Sequence, residues 1–312
     1  MNMSAIHDDK IIFVVFLFLT TTLIASFTLT PYSSFASTEN NNNNTLMQPD
    51  GTQGMGTTTT ATTNATSNTN ATTIVLVHGG WADGSSWGKV ITTLKNSGHR
   101  VIAVQLPLHN SADDIATVKR AIELAGGPVL LVGHSYGGFV ITNAGSNNPN
   151  VTGLVYVAAF APDEGESLGT FVTPAMLPPG ILIADSAGLT YINPDMFHDA
   201  FAQDVNTTEA DIMAIAQKPF NQSIFGEPSG PPAWKQLKTW YQVSDSDRMI
   251  PPDTQRMFAQ RMNATTISID TSHASYVAHP DEIAKLILDA AAGTGGGATM
   301  TGAAGTTPAP TS

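Results

Sequence analysis

Between residues 73 and 291, short apolar runs alternate with segments whose apolar residues recur at helical spacing. Thr73 to Val77, Val101 to Val104, Val129 to Val132, Val151 to Val157, Lys238 to Ser244 and Thr265 to Ile269 are β-rich runs too short for helices, and predict strands. Between them, Trp87, Val90, Ile91 and Leu94 stand on one helical face that stops at Ser97-Gly98. Ser111 and Asp114 read as a capping box before Ile115, Val118 and Ile122, and Gly126-Gly127-Pro128 ends that helix. Pro251-Pro252 opens a helix through Met257, Phe258 and Arg261. Pro280, Asp281 and Glu282 open another, with Ile283, Leu286, Ile287 and Ala290 inward. Strands that are apolar throughout and separated by helices predict an α/β fold: a doubly wound, mostly parallel sheet of about six strands, covered on both faces.

The alternation breaks once. Residues 161–232 are rich in Pro, Gly, Met and Phe, with short helical pieces: one from Asn193-Pro194 with Phe197 and Phe201, another capped by Thr208 and Asp211. So long an insertion between two strands predicts a helical cap over a site. Outside the domain at 73–291 the pattern is different. Residues 1–36 hold a strongly apolar run, Ile11 to Leu19, after Lys10, which Thr20 to Leu29 continues more weakly, and then Ser34-Phe35-Ala36, a small-x-small pattern. This reads as a signal peptide or a membrane anchor, and both put the remainder outside the cytoplasm. Residues 37–72 are Asn-, Thr- and Gly-rich and predict a disordered linker; residues 292–312 predict a low-complexity tail.

Composition narrows the chemistry. Charged residues are 12% of the 312, the formal net charge is −12 and no basic run exists, which argues against nucleic-acid binding by phosphate neutralisation. With no cysteine there is neither a disulfide nor a thiolate nucleophile or metal ligand. The histidines lack paired metal-ligand spacing, so no metal site is expected.

Candidate chemistry gathers where predicted strands end. Val129 to Val132 runs into Gly133-His134-Ser135-Tyr136-Gly137, a Gly-x-Ser-x-Gly turn from strand to helix that presents Ser135 as a nucleophile. A side chain at Gly133 or Gly137 would collide as the turn tightens. Asp247 follows the strand ending at Ser244 and His273 follows the strand ending at Ile269, giving the order Ser, Asp, His. His273 would take the proton of Ser135 and Asp247 would orient the imidazole. His279 competes for the base, and Asp245 and Asp163 for the acid. His78-Gly79-Gly80-Trp81 ends the first strand, so the N–H groups of Gly80 and Tyr136 are candidates to bind an oxyanion. Trp81 and His134 flank these groups as candidate substrate-binding residues.

His78-Gly79-Gly80, Gly133 to Gly138, Asp247-x-x-Ile250-Pro251 and His273 resemble the α/β-hydrolase superfamily over about residues 73–290. Trp81 to Trp87, Val104 to Pro107 and Val155 to Pro162 are similar to its small branch of plant methylesterases, hydroxynitrile lyases and related bacterial esterase-like proteins. The resemblance implies cleavage of a small-molecule ester through an acyl-enzyme, without metal or organic cofactor. Three other readings compete: a lyase on the same scaffold, a ligand-binding protein without catalysis, and a purely structural envelope protein. Hydroxynitrile lyases characteristically carry a Lys directly after the catalytic His, and here that position is Ala274.

Overall fold

The computed structural model describes residues 72–173 and 176–294. In chain order these form β1 (Thr73–Val77), α1 (Gly88–Asn96), β2 (Val101–Ala103), α2 (Ser111–Ala125), β3 (Val129–His134), α3 (Tyr136–Ala144) and β4 (Val151–Val157). An insertion follows with α4 (Leu168–Phe171), β5 (Leu182–Ala184), β6 (Leu189–Ile192), α5 (Pro194–Phe201), α6 (Thr207–Ile215) and β7 (Phe220–Asn221). The chain then returns through β8 (Lys238–Ser244), α7 (Pro252–Arg261), β9 (Thr265–Ile269), α8 (Ser275–Ala278) and α9 (Pro280–Gly293). The expected export segment at 1–36, nearly all of the linker and most of the tail lie outside the described residues. No helix among the described residues is long and apolar enough to cross a membrane.

Six strands make one parallel sheet in the order β2-β1-β3-β4-β8-β9. The strands expected from β-branched runs are all present. Every residue of β1 and β3 is buried, because these central strands have helices on both faces. At the sheet edge, β9 is only half covered, and its Thr-Thr-Ile-Ser-Ile sequence alternates accordingly. α9 turns Ile283, Leu286, Ile287 and Ala290 inward, each large aliphatic side chain there contributing about 1.5–3 kcal/mol through burial. This helix runs to Gly293, past the boundary expected at 291. In register, Val77 lies beside Gly133, Gly133 beside Tyr156 and Ser244 beside Ile269. The carboxyl ends of the strands are therefore level, and the loops leaving them share one rim.

The insertion differs from expectation in two respects. It is not wholly helical: β5, β6 and β7 form a small antiparallel sheet. The β5–β6 hairpin turns at Gly188 (φ +79°), where the Asp185 carboxylate accepts the Ala187 and Leu189 N–H groups. The caps also move. Asn206, not Thr208, caps α6 by accepting the Thr208 N–H. In the main domain Asn110, not Ser111, caps α2. Asp114 is thereby free to turn inward, where it is fully buried.

Candidate active site

β3 delivers the chain to Ser135, which takes φ +53° and ψ −123° before α3 begins. For a residue with a side chain this is a strained conformation, and it lifts the hydroxyl clear of the sheet. The turn closes only because its flanks lack side chains. A Cβ on Gly133 would stand 2.5 Å from the Gly137 carbonyl oxygen, and one on Gly137 would stand 2.5 Å from that of Val77. The loop after β1 passes equally close: a Cβ on Gly79 would lie 2.8 Å from the Ser135 Cβ.

Ser135 Oγ lies 2.9 Å from His273 Nε2, and His273 Nδ1 lies 2.7 Å from Asp247 Oδ2. All three residues are buried. Asp247 is itself fixed: Oδ1 accepts the Met249 and Ile250 N–H groups at 2.7 and 2.9 Å, and Oδ2 accepts the Gln255 amide at 2.7 Å. With both oxygens occupied, the carboxylate has one orientation to offer the imidazole. The competing residues point elsewhere. Asp245 pairs with Arg256, Asp163 with Lys235, and His279 sits between Asp204 and Glu282.

Gly80, Tyr136, Ser135 and His273 border one apolar cavity of about 30 Å³, with Trp81 and Phe220 in its wall. Tyr136 supplies the first N–H of α3, at the positive end of that helix. Its phenol donates to Asp114 Oδ2 at 2.7 Å while Asp114 Oδ1 accepts the Leu108 N–H at 2.8 Å. Burial raises the pKa of Asp114, and burial beside Asp114 raises that of Tyr136 well above the ordinary phenol. His78 Nε2 accepts the Leu106 N–H at 3.0 Å, so Nδ1 carries the proton and donates to the Gly79 carbonyl at 2.8 Å. Burial pushes its pKa down to about 4, which keeps this ring neutral under the Gly-rich loop.

His134 departs from its expected role beside the substrate. It has no exposed surface, does not border the cavity, and packs against the rings of Trp87, Tyr276 and His273. Its Nε2 meets the His273 carbonyl at 2.9 Å, so it supports the His273 loop from below. Burial holds its pKa well below the usual histidine value. The reason is positional: His134 is the last residue of β3, and its side chain points into the helix layer. Trp81 does border the cavity; its Nε1–H donates to the Thr190 carbonyl at 3.1 Å.

Gln255, Asp204 and Phe201 also hold the site, and no motif marks them. Asp204 Oδ2 accepts the Thr271 hydroxyl at 2.6 Å and the Ser272 N–H at 3.0 Å, just before His273. The Phe201 ring meets the His273 ring edge-on, with centroids 4.8 Å apart. Only distance in space connects these residues to the site, since they come from the insertion and from α7. Among the described residues no cluster of three or more His, Asp or Glu side chains could hold a metal ion.

Residues 74–286 match the model of the alpha/beta hydrolase family. The carbendazim hydrolyzing esterase of Nocardioides sp. (strain SG-4G) is 35% identical over 120 residues, 34% of this chain and 49% of that protein, so this chain spans about half its length. Polyneuridine aldehyde esterase of Rauvolfia serpentina is 25% identical over 257 residues, 69% of this chain and 94% of that protein. The crystal structure of a pyrethroid hydrolase from Sphingobium faniae JZ-2 superimposes with a TM-score of 0.62 at 22% identity, covering 71% of this chain and 97% of that one, and shares the fold. The level strand ends, the strained serine turn and the family match agree: this chain belongs to the alpha/beta hydrolase family.

Proposed function

We propose that this chain is an exported serine esterase that cleaves carboxylic esters of small to medium, partly apolar substrates through an acyl-enzyme. The observation that carries it is the continuous relay from Ser135 Oγ through His273 to a doubly anchored Asp247. Ser135 Oγ attacks the ester carbonyl carbon as His273 Nε2 takes its proton. The carbonyl oxygen becomes an oxyanion facing the N–H groups of Gly80 and Tyr136, each such donor contributing about 2.7–4 kcal/mol to the transition state. Collapse expels the alcohol, which receives the proton from His273. Water, deprotonated by His273, then attacks the acyl carbon; the Oγ–acyl bond breaks, the acid leaves and His273 returns the proton to Ser135 Oγ. Asp247 keeps the Nδ1 proton in place and stabilises the imidazolium. The esterase names of two relatives support the reaction class. For export, the support is the apolar run from Ile11 to Leu29 and the small-x-small pattern at Ser34 to Ala36, with residues 37–72 as the spacer before the catalytic domain.

A fluorophosphonate probe on wild type and Ser135→Ala tests the nucleophile, and a series of p-nitrophenyl esters tests turnover. Wild type is expected to label and to hydrolyse the esters, and the variant to do neither. Equal labelling of the two proteins would remove Ser135 from the chemistry. Labelling without turnover of any ester would favour the lyase or ligand-binding reading.

A further inference from the structure

The cavity at Ser135 is small. It measures about 30 Å³. A second, open cavity of about 250 Å³ lies between the segment after β1 and helices α5 and α6. The two share Trp81 and no other bordering residue. Phe201 also lines the larger cavity, and its ring rests edge-on against His273. The large cavity is thus divided from the reacting groups by two aromatic rings, Trp81 beside the oxyanion loop and Phe201 beside the imidazole.

On the reading of Ser135 as an esterase nucleophile, we propose that the larger cavity is a second subsite. It takes a neutral aromatic or cyclic apolar arm of the ester, and Trp81 is its partition. Its inner wall is apolar and aromatic, from Trp81, Phe197, Phe201 and Met213. At its border Lys89 is already paired with Glu209 at 2.8 Å, and Asp83 leaves an excess of negative charge, which disfavours an anionic arm. Trp81 is held almost wholly by the insertion. Its indole donates to Thr190 and packs on Phe220 and Phe225, and its carbonyl accepts the Lys218 N–H at 3.2 Å. Its own backbone sits at φ +59°, a strained conformation outside glycine. Trp81 is the one residue that borders both cavities, so it is the wall that separates them beside Ser135.

The test compares full-length wild type, Gly88→Trp and Trp81→Gly on ethyl acetate, phenethyl acetate and ethyl hydrocinnamate. Gly88 is an exposed residue on the border of the large cavity and a Cβ there meets nothing within 4 Å, so tryptophan narrows the cavity mouth without disturbing the backbone. Wild type is expected to prefer one of the phenyl-bearing esters over ethyl acetate in kcat/KM. Gly88→Trp should lower that ratio by about tenfold or more, the range an obstructed apolar pocket commands. Trp81→Gly, which suits the positive φ, should raise it. A ratio unchanged in Gly88→Trp, or a wild type that prefers ethyl acetate, would overturn the subsite. Calorimetry with phenethyl alcohol separates this from the esterase reading. Binding to wild type that Gly88→Trp abolishes supports the subsite even if no ester turns over, and binding that is absent, or intact in the variant, refutes it.

Discussion

His78 illustrates how one buried ring couples the site to the stability of the fold. Its neutral form is required twice, since Nε2 must accept from Leu106 while Nδ1–H donates to Gly79. An imidazole ordinarily titrates near 6.5, and burial lowers this one to about 4 in the folded chain. Between those values the unfolded chain binds the extra proton. The stabilisation is complete above the ordinary value and is lost as pH falls toward about 4, amounting to about 3 kcal/mol. Urea unfolding at neutral pH and near the low end of that window should show this loss in wild type and a loss smaller by about that amount in His78→Gln. At this scale the residues of the serine turn were legible in the sequence, because glycine on both sides of a serine leaves little else for a strand-to-helix turn to be. The misplaced role of His134 has an equally plain cause. A motif position says nothing about which layer a side chain enters, and the last residue of β3 faces inward.

The segment from Asp199 to Asp204, at the end of α5, grips both loops that carry the partners of Ser135. Asp199 pairs with Arg248 and Gln203 donates to the Ser246 carbonyl at 2.7 Å, on either side of Asp247. The Phe201 carbonyl accepts the Ala274 N–H at 3.1 Å and Asp204 holds Thr271 and Ser272, on either side of His273. An insertion read as a lid thus also braces the loops beneath it. Asp204→Ala should lower kcat about ten- to a hundredfold, the worth of hydrogen bonds to a charged group, with little change in KM. Asp204→Asn, whose side-chain oxygen accepts the same two donors, should recover most of kcat. A purely structural role would instead lower the melting temperature of Asp204→Ala and leave its kcat per folded molecule intact. Element by element, the six strands were legible because β1 and β3 are strongly apolar runs and the edge strand β9 is rich in β-branched residues. The small antiparallel sheet was not, because β5, β6 and β7 are two to four residues long. Too few positions alternate in such pieces to reveal a period. The capping box at Ser111 failed for a related reason, since Asn110 was an equally good cap one residue earlier and freed Asp114 to hold Tyr136.

At the scale of the whole molecule, residues separated by more than a hundred positions meet because parallel strands end on one level. Ser135 follows β3, Asp247 follows β8 and His273 follows β9, and only the sheet order makes them neighbours. Alternation of strand and helix predicts a parallel sheet with ligands at the carboxyl ends of its strands, so the meeting point was foreseeable at that rim. The brace from α5 was not, since it depends on how an irregular insertion packs. The formal charge of −12 acts at this scale as well. It repels anionic substrates over distances of about a Debye length. A carboxylate-bearing ester should show a lower kcat/KM than its neutral methyl-ester counterpart, and added salt should narrow the gap. Insensitivity to ionic strength would mean that the field at the site is set by local groups alone.

The conformation of Ser135 has a consequence for how this chain could change. With φ at +53°, glycine fits the turn better than any residue with a side chain. Ser135→Gly should therefore unfold at a higher temperature than Ser135→Ala, by about 1 kcal/mol in stability. The turn that exposes the hydroxyl is a position where robustness and reactivity are opposed. A descendant released from selection for catalysis could exchange its serine for glycine and become a sturdier protein with nothing left to react.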